Sequence, residues 1–320
     1  MQKLLVICGP TASGKTDLAL RLAEKFEGEI VSADSRQVYK YMDIGTGKDV
    51  PEDFWMETSK IHFQGKKVPY YTNGKTRIWG YDLVHPREEF SVAQYTDVAH
   101  AIISHIQKEG KLPIVVGGTG LYIRSVVDGI GTAAVPKDDL LREKLERFSV
   151  EDLQRELKGL DPGRYEAMNF SDRKNPRRLI RAIEIVSFGG SLVVPESPKY
   201  EVLMIGLKVE KDVRDERINL RVEKRMREGM RDEITSLLEK GVKWNMQSMS
   251  SIGYKQWYKY FKGEEAFSDV SRNWKLAERK YAKRQMTWFK KDERVQWFSA
   301  TDENYVKKIV KLVQTWHNRV

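Results

Sequence analysis

The sequence predicts an α/β fold with a parallel sheet core, a helical insertion domain and a helical C-terminal region. Short apolar runs alternate with helical patterns, which is the signature of strands joined by crossover helices. A charged, helix-like stretch interrupts this alternation in the middle of the chain. We therefore expect the core to comprise residues 1–130 and 201–320, with the insertion domain at residues 131–200.

The first half of the chain supplies most of the predicted sheet. Residues 3–8 form an apolar strand, a glycine-rich loop follows at residues 9–16, and a helical pattern then runs to Gly28. A second strand is predicted at residues 29–32. A helix at residues 92–107 leads into another apolar strand at residues 112–116. Polar clusters follow these strands, where parallel sheets bind their ligands.

The middle of the chain is less regular. Residues 51–79 are rich in Gly, Lys and aromatic residues and predict an irregular or hairpin insertion. Residues 136–187 are helical and charged, with breaks at Asp161-Pro162-Gly163 and at Asn175-Pro176. A loop is expected at residues 189–198.

The last third returns to the core. Residues 202–209 predict the last core strand, and everything after Lys211 predicts helices with breaks at Gly241, Gly253 and Gly263.

Charge and aromatic residues concentrate in this last third. The 320-residue chain has a net charge of +10, and residues 201–320 hold 27 Lys and Arg against 18 Asp and Glu, together with six of the eight Trp. Basic charge mixed with flat rings favours a polyanion with stackable bases. A basic helical surface over buried Trp is the alternative that composition leaves open.

Composition also narrows the class of protein. The longest apolar runs fall far short of the roughly 20 residues that cross a bilayer, and the N-terminus lacks a signal-peptide pattern. Cys8 is the single cysteine, so no internal disulfide framework exists. These features predict a cytoplasmic protein without a membrane partner.

The glycine-rich loop carries the strongest signal. Its eight residues fit the phosphate-loop pattern: Gly9, Pro10, Thr11, Ala12, Ser13, Gly14, Lys15 and Thr16. Backbone N–H groups wrap a diphosphate, Lys15 adds charge, and the Thr16 hydroxyl is a candidate Mg²⁺ ligand. The core is therefore expected to be P-loop NTPase-like. The aspartate that usually ends a second strand is missing after residues 114–116, which weakens an NTPase interpretation without excluding it.

Two polar residues at strand ends are candidate catalytic groups. Asp34 follows the second strand and is a candidate general base, although capping a helix at residues 36–41 is an equal alternative. Thr119 lies between glycines and is a candidate donor to a phosphate oxygen. A tight turn that needs only those glycines explains the same motif.

Two arginine stripes and one aromatic seam have helical spacing. The stripes are suitable for phosphate, although most such stripes are solvated faces: Arg177, Arg178 and Arg181, and Arg217, Arg221 and Arg225. The seam predicts core residues rather than base platforms: Trp274, Ala277, Tyr281 and Trp288. A basic ridge on the same helix is expected to face outward: Arg272, Lys275, Arg279 and Lys283.

The ordered set of motifs resembles the tRNA dimethylallyltransferase (tRNA isopentenyltransferase) family. The resemblance extends over nearly the whole chain and rests on stretches at residues 9–16, 32–40, 42–46, 117–122, 178–184, 252–254 and 282–289. It implies transfer of a dimethylallyl group from its diphosphate to N6 of the adenosine 3′ to the anticodon. The phosphate loop would then hold a leaving diphosphate.

The resemblance also implies residue roles. Asp34 takes the N6 proton, Thr16 positions Mg²⁺, and Lys15, Thr119 and either Arg217 or Arg221 steady the diphosphate. Residues matching tRNA-contacting stretches are Asp34, Ser35, Arg36, Gln37, Thr119, Arg142, Arg177, Arg178, Arg181, Gly253, Tyr254, Lys283, Arg284, Gln285 and Trp288. The expected partners are the tRNA anticodon arm and dimethylallyl diphosphate, bound by a monomer.

Three other functions stay open at this point. A prenyltransferase acting on free AMP or ADP would use the same loop, although the basic, Trp-rich end argues against it. A P-loop small-molecule kinase would release ADP. An RNA-binding protein without chemistry would not need Asp34.

Overall fold

An eight-stranded sheet organises the chain in the computed structural model, which describes residues 2–132, 135–189 and 199–319. Its strands are β1 (Gln2–Cys8), β2 (Gly28–Ser32), β3 (Trp55–Phe63), β4 (Lys66–Thr72), β5 (Arg77–Trp79), β6 (Leu112–Gly117), β7 (Tyr200–Lys208) and β8 (Val295–Ser299). The order is β3-β4-β5-β2-β6-β1-β7-β8. From β5 to β8 neighbouring strands are parallel, so their carboxyl ends share one edge.

The helices follow in chain order. They are α1 (Lys15–Lys25), α2 (Val92–Lys108), α3 (Gly120–Val127), α4 (Asp139–Leu145), α5 (Val150–Leu160), α6 (Pro162–Ala167), α7 (Phe170–Arg173), α8 (Pro176–Ser187), α9 (Lys211–Arg227), α10 (Met230–Glu239), α11 (Tyr258–Phe261), α12 (Phe267–Phe289) and α13 (Tyr305–His317). Two compact units result: residues 1–128 with 198–320, and residues 129–197. The predicted α/β class is confirmed.

Alternation along the strands builds a core on each face of the sheet. In β1, Leu4 and Val6 join the cluster that packs with α2, whereas Leu5 and Ile7 join the cluster that packs with α1 and α13. Both sets of side chains are fully buried because a central parallel strand is covered on both faces.

The segment at residues 51–79 is a hairpin extension of the sheet, so the hairpin alternative is correct. Strands β3 and β4 pair antiparallel around Gln64 and Gly65, both of which have positive φ. Strand β4 then pairs with β5, which joins the hairpin to the parallel core.

The expectation that everything after Lys211 is helical was wrong at one point, because β8 adds a parallel edge strand beside β7. Val295 and Trp297 pack against Gly206 of β7, where a Cβ would lie 2.5 Å and 2.7 Å from them. This strand depends on a partner strand far earlier in the chain, since Met204 pairs with Val295, and local periodicity does not reveal such a pairing.

The unit at residues 129–197 is a helical bundle with its own core, as described for residues 129–132 and 135–189. Helices α5 and α8 pack through Leu153, Leu157, Leu179 and Ile183. The predicted breaks are confirmed, since Pro162 and Pro176 each open a helix after a capping residue. Most of the loop expected at residues 189–198 lies outside the described residues.

No helix within the described ranges is both long and apolar enough to cross a membrane.

Candidate active site at the carboxyl edge of the sheet

The phosphate loop follows β1 and opens α1, as predicted. Gly9 has φ 140°, and a Cβ there would lie 2.4 Å from the carbonyl oxygen of Leu207, so the position requires glycine. Gly14 has a left-handed backbone conformation and precedes the first turn of α1. The N–H groups of that turn have no intrahelical partners, which favours an anion at this point.

A buried side chain of α12 braces this loop. The Oε1 atom of Gln285 accepts the Thr11 N–H at 2.8 Å, and its Nε2 atom donates to the Gly118 carbonyl at 2.9 Å. Gln285 is only 5% exposed. Its amide therefore ties the phosphate loop to the β6–α3 turn, a role that the sequence pattern did not reveal.

The loop forms one wall of a cavity of about 810 Å³. Much of the remaining lining comes from residues 34–37, residues 45–47 with Asp49, three arginines of α9 and the inner face of α12. Lys15 donates to the Pro10 carbonyl at 2.7 Å. Enclosure in the cavity, followed by repulsion from Arg221, lowers the pKa of Lys15 to about 8.

The α9 stripe of Arg217, Arg221 and Arg225 lines this cavity, with Arg217 exposed, Arg221 half-buried and Arg225 buried. Arg221 donates through Nη2 to the Thr11 hydroxyl. Among the residues that the structure describes, the buried Nε of Arg221 and the buried hydroxyl of Ser13 have no hydrogen-bond partner. Buried polar atoms without partners are costly, so this arrangement suits an anion that supplies acceptors.

Arg225 and Glu278 lie deeper in the same wall, and both are buried. Arg225 packs against the backbone of Gly47, where any side chain would collide with its guanidinium group. Burial and the neighbouring Arg221 lower the pKa of Arg225 to about 10. The Glu278 carboxylate lies 3.8 Å from Arg225 Nη1 and 3.6 Å from Arg221 Nη2.

Asp34 lines the cavity directly after β2. Its Oδ1 accepts the Arg36 N–H at 2.8 Å, and turns rather than a helix follow, so the helix-cap alternative was wrong. Burial raises the pKa of Asp34, although this hydrogen bond and the charges of Arg36 and Lys15 oppose the shift. A carboxylate with a raised pKa is a better proton acceptor near neutral pH.

Thr119 connects the ends of β2 and β6. Its Oγ1 accepts the Ser35 N–H at 3.1 Å, and its own N–H donates to the Ala33 carbonyl at 3.2 Å. Thr119 is not among the cavity-lining residues. The structure thus gives its side chain a position behind Asp34, where it fixes the turn.

The carboxamide of Gln37 and the carboxylate of Glu233 hold the loop at residues 42–49. Gln37 accepts from the Ser32 hydroxyl at 2.9 Å and donates to the Gly47 carbonyl at 2.7 Å. Glu233 accepts three consecutive N–H groups, those of Asp43, Ile44 and Gly45. This loop is therefore fixed in place against the cavity.

The neighbouring segment around Gly253 is also fixed. Tyr254 is fully buried and donates its hydroxyl to Glu233, while Gly253 has φ 100° against the ring of Trp274. Arg36 donates to the Gln247 carbonyl at 3.0 Å. Tyr254, expected to match a tRNA-contacting stretch, thus has its side chain in the core.

The outer face of α12 forms an open groove of about 400 Å³, called here the α12 groove, lined by Lys280, Lys283, Arg284, Thr287, Trp288 and Lys291. The expectation that Trp288 belongs to the buried seam was wrong, because it is 42% exposed and packs over Gly120. Trp274 is buried as expected, and Tyr281 lines the cavity. The buried stripe of α12 includes polar residues, which hydrophobic spacing alone misses.

The arginines of the helical unit fall into two groups. Arg142 and Arg181 contact the buried Glu184, and Arg181 also donates to the Thr132 and Val135 carbonyls. Arg177 and Arg178 are exposed, and Arg178 pairs with Asp172.

The lining of the cavity fits a hard divalent cation only together with a substrate. No cluster of three or more His, Cys, Asp or Glu side chains able to hold a metal occurs in the described residues. The Thr16 hydroxyl and the carboxylates of Asp34 and Asp49 line the cavity. Mg²⁺ commonly takes few protein oxygens and completes its shell with water and phosphate oxygens.

These features define a phosphate-loop α/β protein whose cavity suits a diphosphate group beside a carboxylate. The family model "IPP transferase" matches residues 37–292, and the model "Isopentenyl transferase" matches residues 2–69. The chain belongs to the IPP transferase family.

Relatives match nearly the whole chain. The tRNA dimethylallyltransferase of Anoxybacillus flavithermus is 38% identical over 315 residues, covering 97% of this chain and 94% of the relative. The crystal structure of a tRNA isopentenylpyrophosphate transferase from Bacillus halodurans is 36% identical, with a TM-score of 0.69 and coverage of 99% and 96%. A eukaryotic dimethylallyltransferase acting on tRNA shares the fold at 22% identity, with a TM-score of 0.79 and coverage of 100% and 81%.

Proposed function

We propose that this protein transfers a dimethylallyl group from dimethylallyl diphosphate to N6 of the adenosine 3′-adjacent to the anticodon in tRNA, and releases diphosphate. The observation that carries the proposal is a single cavity in which a phosphate loop and three arginines lie beside Asp34. Membership of the IPP transferase family supports the same reaction.

The positive charges of Lys15 and the three α9 arginines would stabilise the leaving diphosphate. When the bond between C1 of the dimethylallyl group and its oxygen breaks, negative charge builds up on the diphosphate. Lys15 and the three arginines are placed before the reaction starts, and preorganised donors of this kind are commonly worth about 10²–10³ in rate each. The partnerless Ser13 hydroxyl and Arg221 Nε add two donors for phosphate oxygens.

Asp34 would act on the second substrate, the N6 amine of the target adenosine. An exocyclic adenine amine is a weak nucleophile because its lone pair is delocalised into the ring. As the new bond forms between N6 and C1, the N6 proton moves to the Asp34 carboxylate. The Arg36 N–H and the Ser35–Thr119 hydrogen bond hold the turn that carries this carboxylate.

Mg²⁺ fits the proposal as a partner of the diphosphate. Thr16 would contribute its hydroxyl, and Asp49 is a further carboxylate in the lining of the same cavity. The ion, when bound, supplies positive charge to the phosphate oxygens.

The tRNA would meet the basic surfaces. The α12 groove combines four cationic side chains with an exposed indole, which suits a backbone with splayed bases. Ser35, Arg36, Gln37 and Gly253 are further candidates near the cavity, and the exposed Arg177 and Arg178 are candidates in the helical unit. The target adenine would leave its stack to reach Asp34. A tRNA acceptor implies a cytoplasmic reaction, and we expect a monomer to suffice.

The test is a transfer assay read by mass spectrometry of nucleosides. The protein is incubated with Mg²⁺, dimethylallyl diphosphate and unmodified tRNA, and the tRNA is then digested. We expect N6-dimethylallyladenosine in the tRNA only when both substrates are present. Parallel reactions with AMP, ADP or ATP separate the alternatives: prenylated AMP or ADP without prenylated tRNA, or ADP release from ATP without prenyl transfer, would overturn the proposal.

A further inference from the structure

We propose that Glu278 is an internal counter-charge that competes with diphosphate for Arg221 and Arg225, and so limits how tightly the cavity retains its leaving group. The inference rests on the proposed use of the cavity for a diphosphate, and it adds a residue that controls release. Glu278 is a positioning residue in this scheme because it acts through the two arginines.

The position of Glu278 is unusual for an anion site. It lines the cavity and is 5% exposed, although the diphosphate expected beside the α9 arginines is itself negatively charged. It belongs to the inner face of α12, one turn after Trp274, whose indole N–H donates to its Oε1 at 3.3 Å. Helix packing alone does not require a carboxylate at this point.

The contacts that Glu278 makes are loose. Its oxygens lie 3.6 Å from Arg221 and 3.8 Å from Arg225, beyond the 2.7–2.9 Å of a charge-assisted hydrogen bond. Bidentate pairing elsewhere in the molecule is tighter, since Arg142 meets Glu184 at 2.6 Å and 2.8 Å. Glu278 therefore neutralises the two guanidinium groups without saturating their N–H donors.

Arg221 is consequently available to a second anion. One of its amino groups contacts Thr11 of the phosphate loop, and its Nε is buried without a partner. A diphosphate bound in the phosphate loop would accept a hydrogen bond from Arg221 Nε. The same diphosphate would then share the positive charge of Arg221 and Arg225 with Glu278, at an electrostatic cost.

Removing the Glu278 charge should strengthen diphosphate binding. Without the Glu278 charge, the buried Arg225 would keep only the weaker attraction of Asp49 in the free protein, which destabilises the unliganded state. Diphosphate would become the main counter-ion and would bind more tightly. A product that binds more tightly leaves more slowly, so Glu278 favours turnover at the expense of affinity.

The experiment measures binding of inorganic diphosphate by calorimetry, without tRNA. We expect Glu278→Gln to bind diphosphate about tenfold more tightly than the wild-type protein. Its thermal midpoint should be lower without ligand, and saturating diphosphate should raise that midpoint by more than in the wild type. Steady-state prenyl transfer should show stronger inhibition by diphosphate.

The matched control is Glu223→Gln. Glu223 also joins α9 to α12, through Lys275 at 2.6 Å, but it lies on the surface and does not line the cavity. We expect its diphosphate affinity to match the wild type. Tightening in both variants would overturn the proposal, because it would trace the effect to loosened packing between the helices.

Two further arms keep the test decisive. If Glu278→Gln does not fold, Glu278→Asp keeps the charge but withdraws it, and a smaller tightening of about twofold to threefold is expected. Unchanged or weaker binding in the folded variant overturns the inference. Failure of wild-type protein to bind diphosphate at all would instead overturn the proposed function.

Discussion

Two buried charge clusters lie at opposite ends of β2, and their contacts differ. At the amino end, Glu29 is fully buried and accepts from Lys111 at 2.6 Å and from the Trp79 indole at 2.8 Å, with Arg77 at 3.2 Å. Both its oxygens are bonded. A buried carboxylate with this many short contacts serves the fold.

At the carboxyl end, the charged groups lie close together, but several of their hydrogen-bonding atoms lack close partners. Glu278 contacts two arginines at more than 3.5 Å, while Arg221 Nε and Ser13 Oγ are buried without partners. Buried charges whose hydrogen bonds are all made within the protein stabilise the fold, whereas buried donors without partners mark the place where a substrate binds.

The largest effect is expected at Asp34. Asp34→Asn keeps the size of the side chain but removes the proton acceptor, so turnover should fall by about 10²–10⁴. Diphosphate binding and tRNA binding should be largely retained. Single-turnover prenyl transfer is the measurement, with Asp97→Asn on the exposed face of α2 as control. Turnover within threefold of wild type in Asp34→Asn would remove Asp34 from the mechanism.

The second prediction concerns the buried charge cluster around Glu29. Glu29→Ala removes the buried carboxylate that Lys111, Arg77 and the Trp79 indole share, while Glu109 stays beside both cations, and it should lower the free energy of unfolding by about 1–3 kcal/mol. The affinity of the folded protein for diphosphate should not change. Urea unfolding and calorimetry measure the two quantities, with the exposed Glu24→Ala as control. A loss of diphosphate affinity without loss of stability would reverse the assignment of the two clusters.

The third prediction is a pH dependence. Lys15 has a pKa lowered to about 8, so its positive charge is present below that pH and is lost as the pH rises through it. Affinity for dimethylallyl diphosphate should therefore decrease above pH 8, by up to about tenfold for each unit. Lys15→Arg keeps its charge and should flatten the profile between pH 7 and 10. An identical decline in both proteins would contradict the role of Lys15.

The smallest effect is expected at Gln285. Gln285→Ala removes two hydrogen bonds that brace the phosphate loop and should weaken diphosphate binding by about threefold to tenfold. The exposed Thr287→Ala, half a turn away on α12, should leave this affinity unchanged. Equal effects in the two variants would mean that the brace does not position the loop.

The sequence predicts the elements whose signal is local. The β1–loop–α1 unit, the strand before Asp34 and the proline-marked helix starts of the insertion are each specified by adjacent residues. The position of this loop was predictable because Gly9 and Gly14 both have positive φ, and a Cβ at Gly9 would collide with the Leu207 carbonyl oxygen.

The remaining features depend on distant partners. Strand β8 is defined by β7, and Gln285 acquires its role only because α12 reaches the phosphate loop, 274 residues away from Thr11. Trp288 follows apolar spacing yet is exposed, whereas Glu278 breaks that spacing and is buried. Periodicity locates a helix face, but it does not say whether the face meets a core or a polar cavity.

A crystal structure with an unreactive analogue of dimethylallyl diphosphate and the anticodon arm would show whether the cavity holds the diphosphate beside Asp34. We expect phosphate oxygens within hydrogen-bond distance of Ser13 Oγ and Arg221 Nε, and the target N6 within hydrogen-bond distance of the Asp34 carboxylate. A diphosphate bound elsewhere, with both Ser13 Oγ and Arg221 Nε still lacking partners, would contradict this expectation.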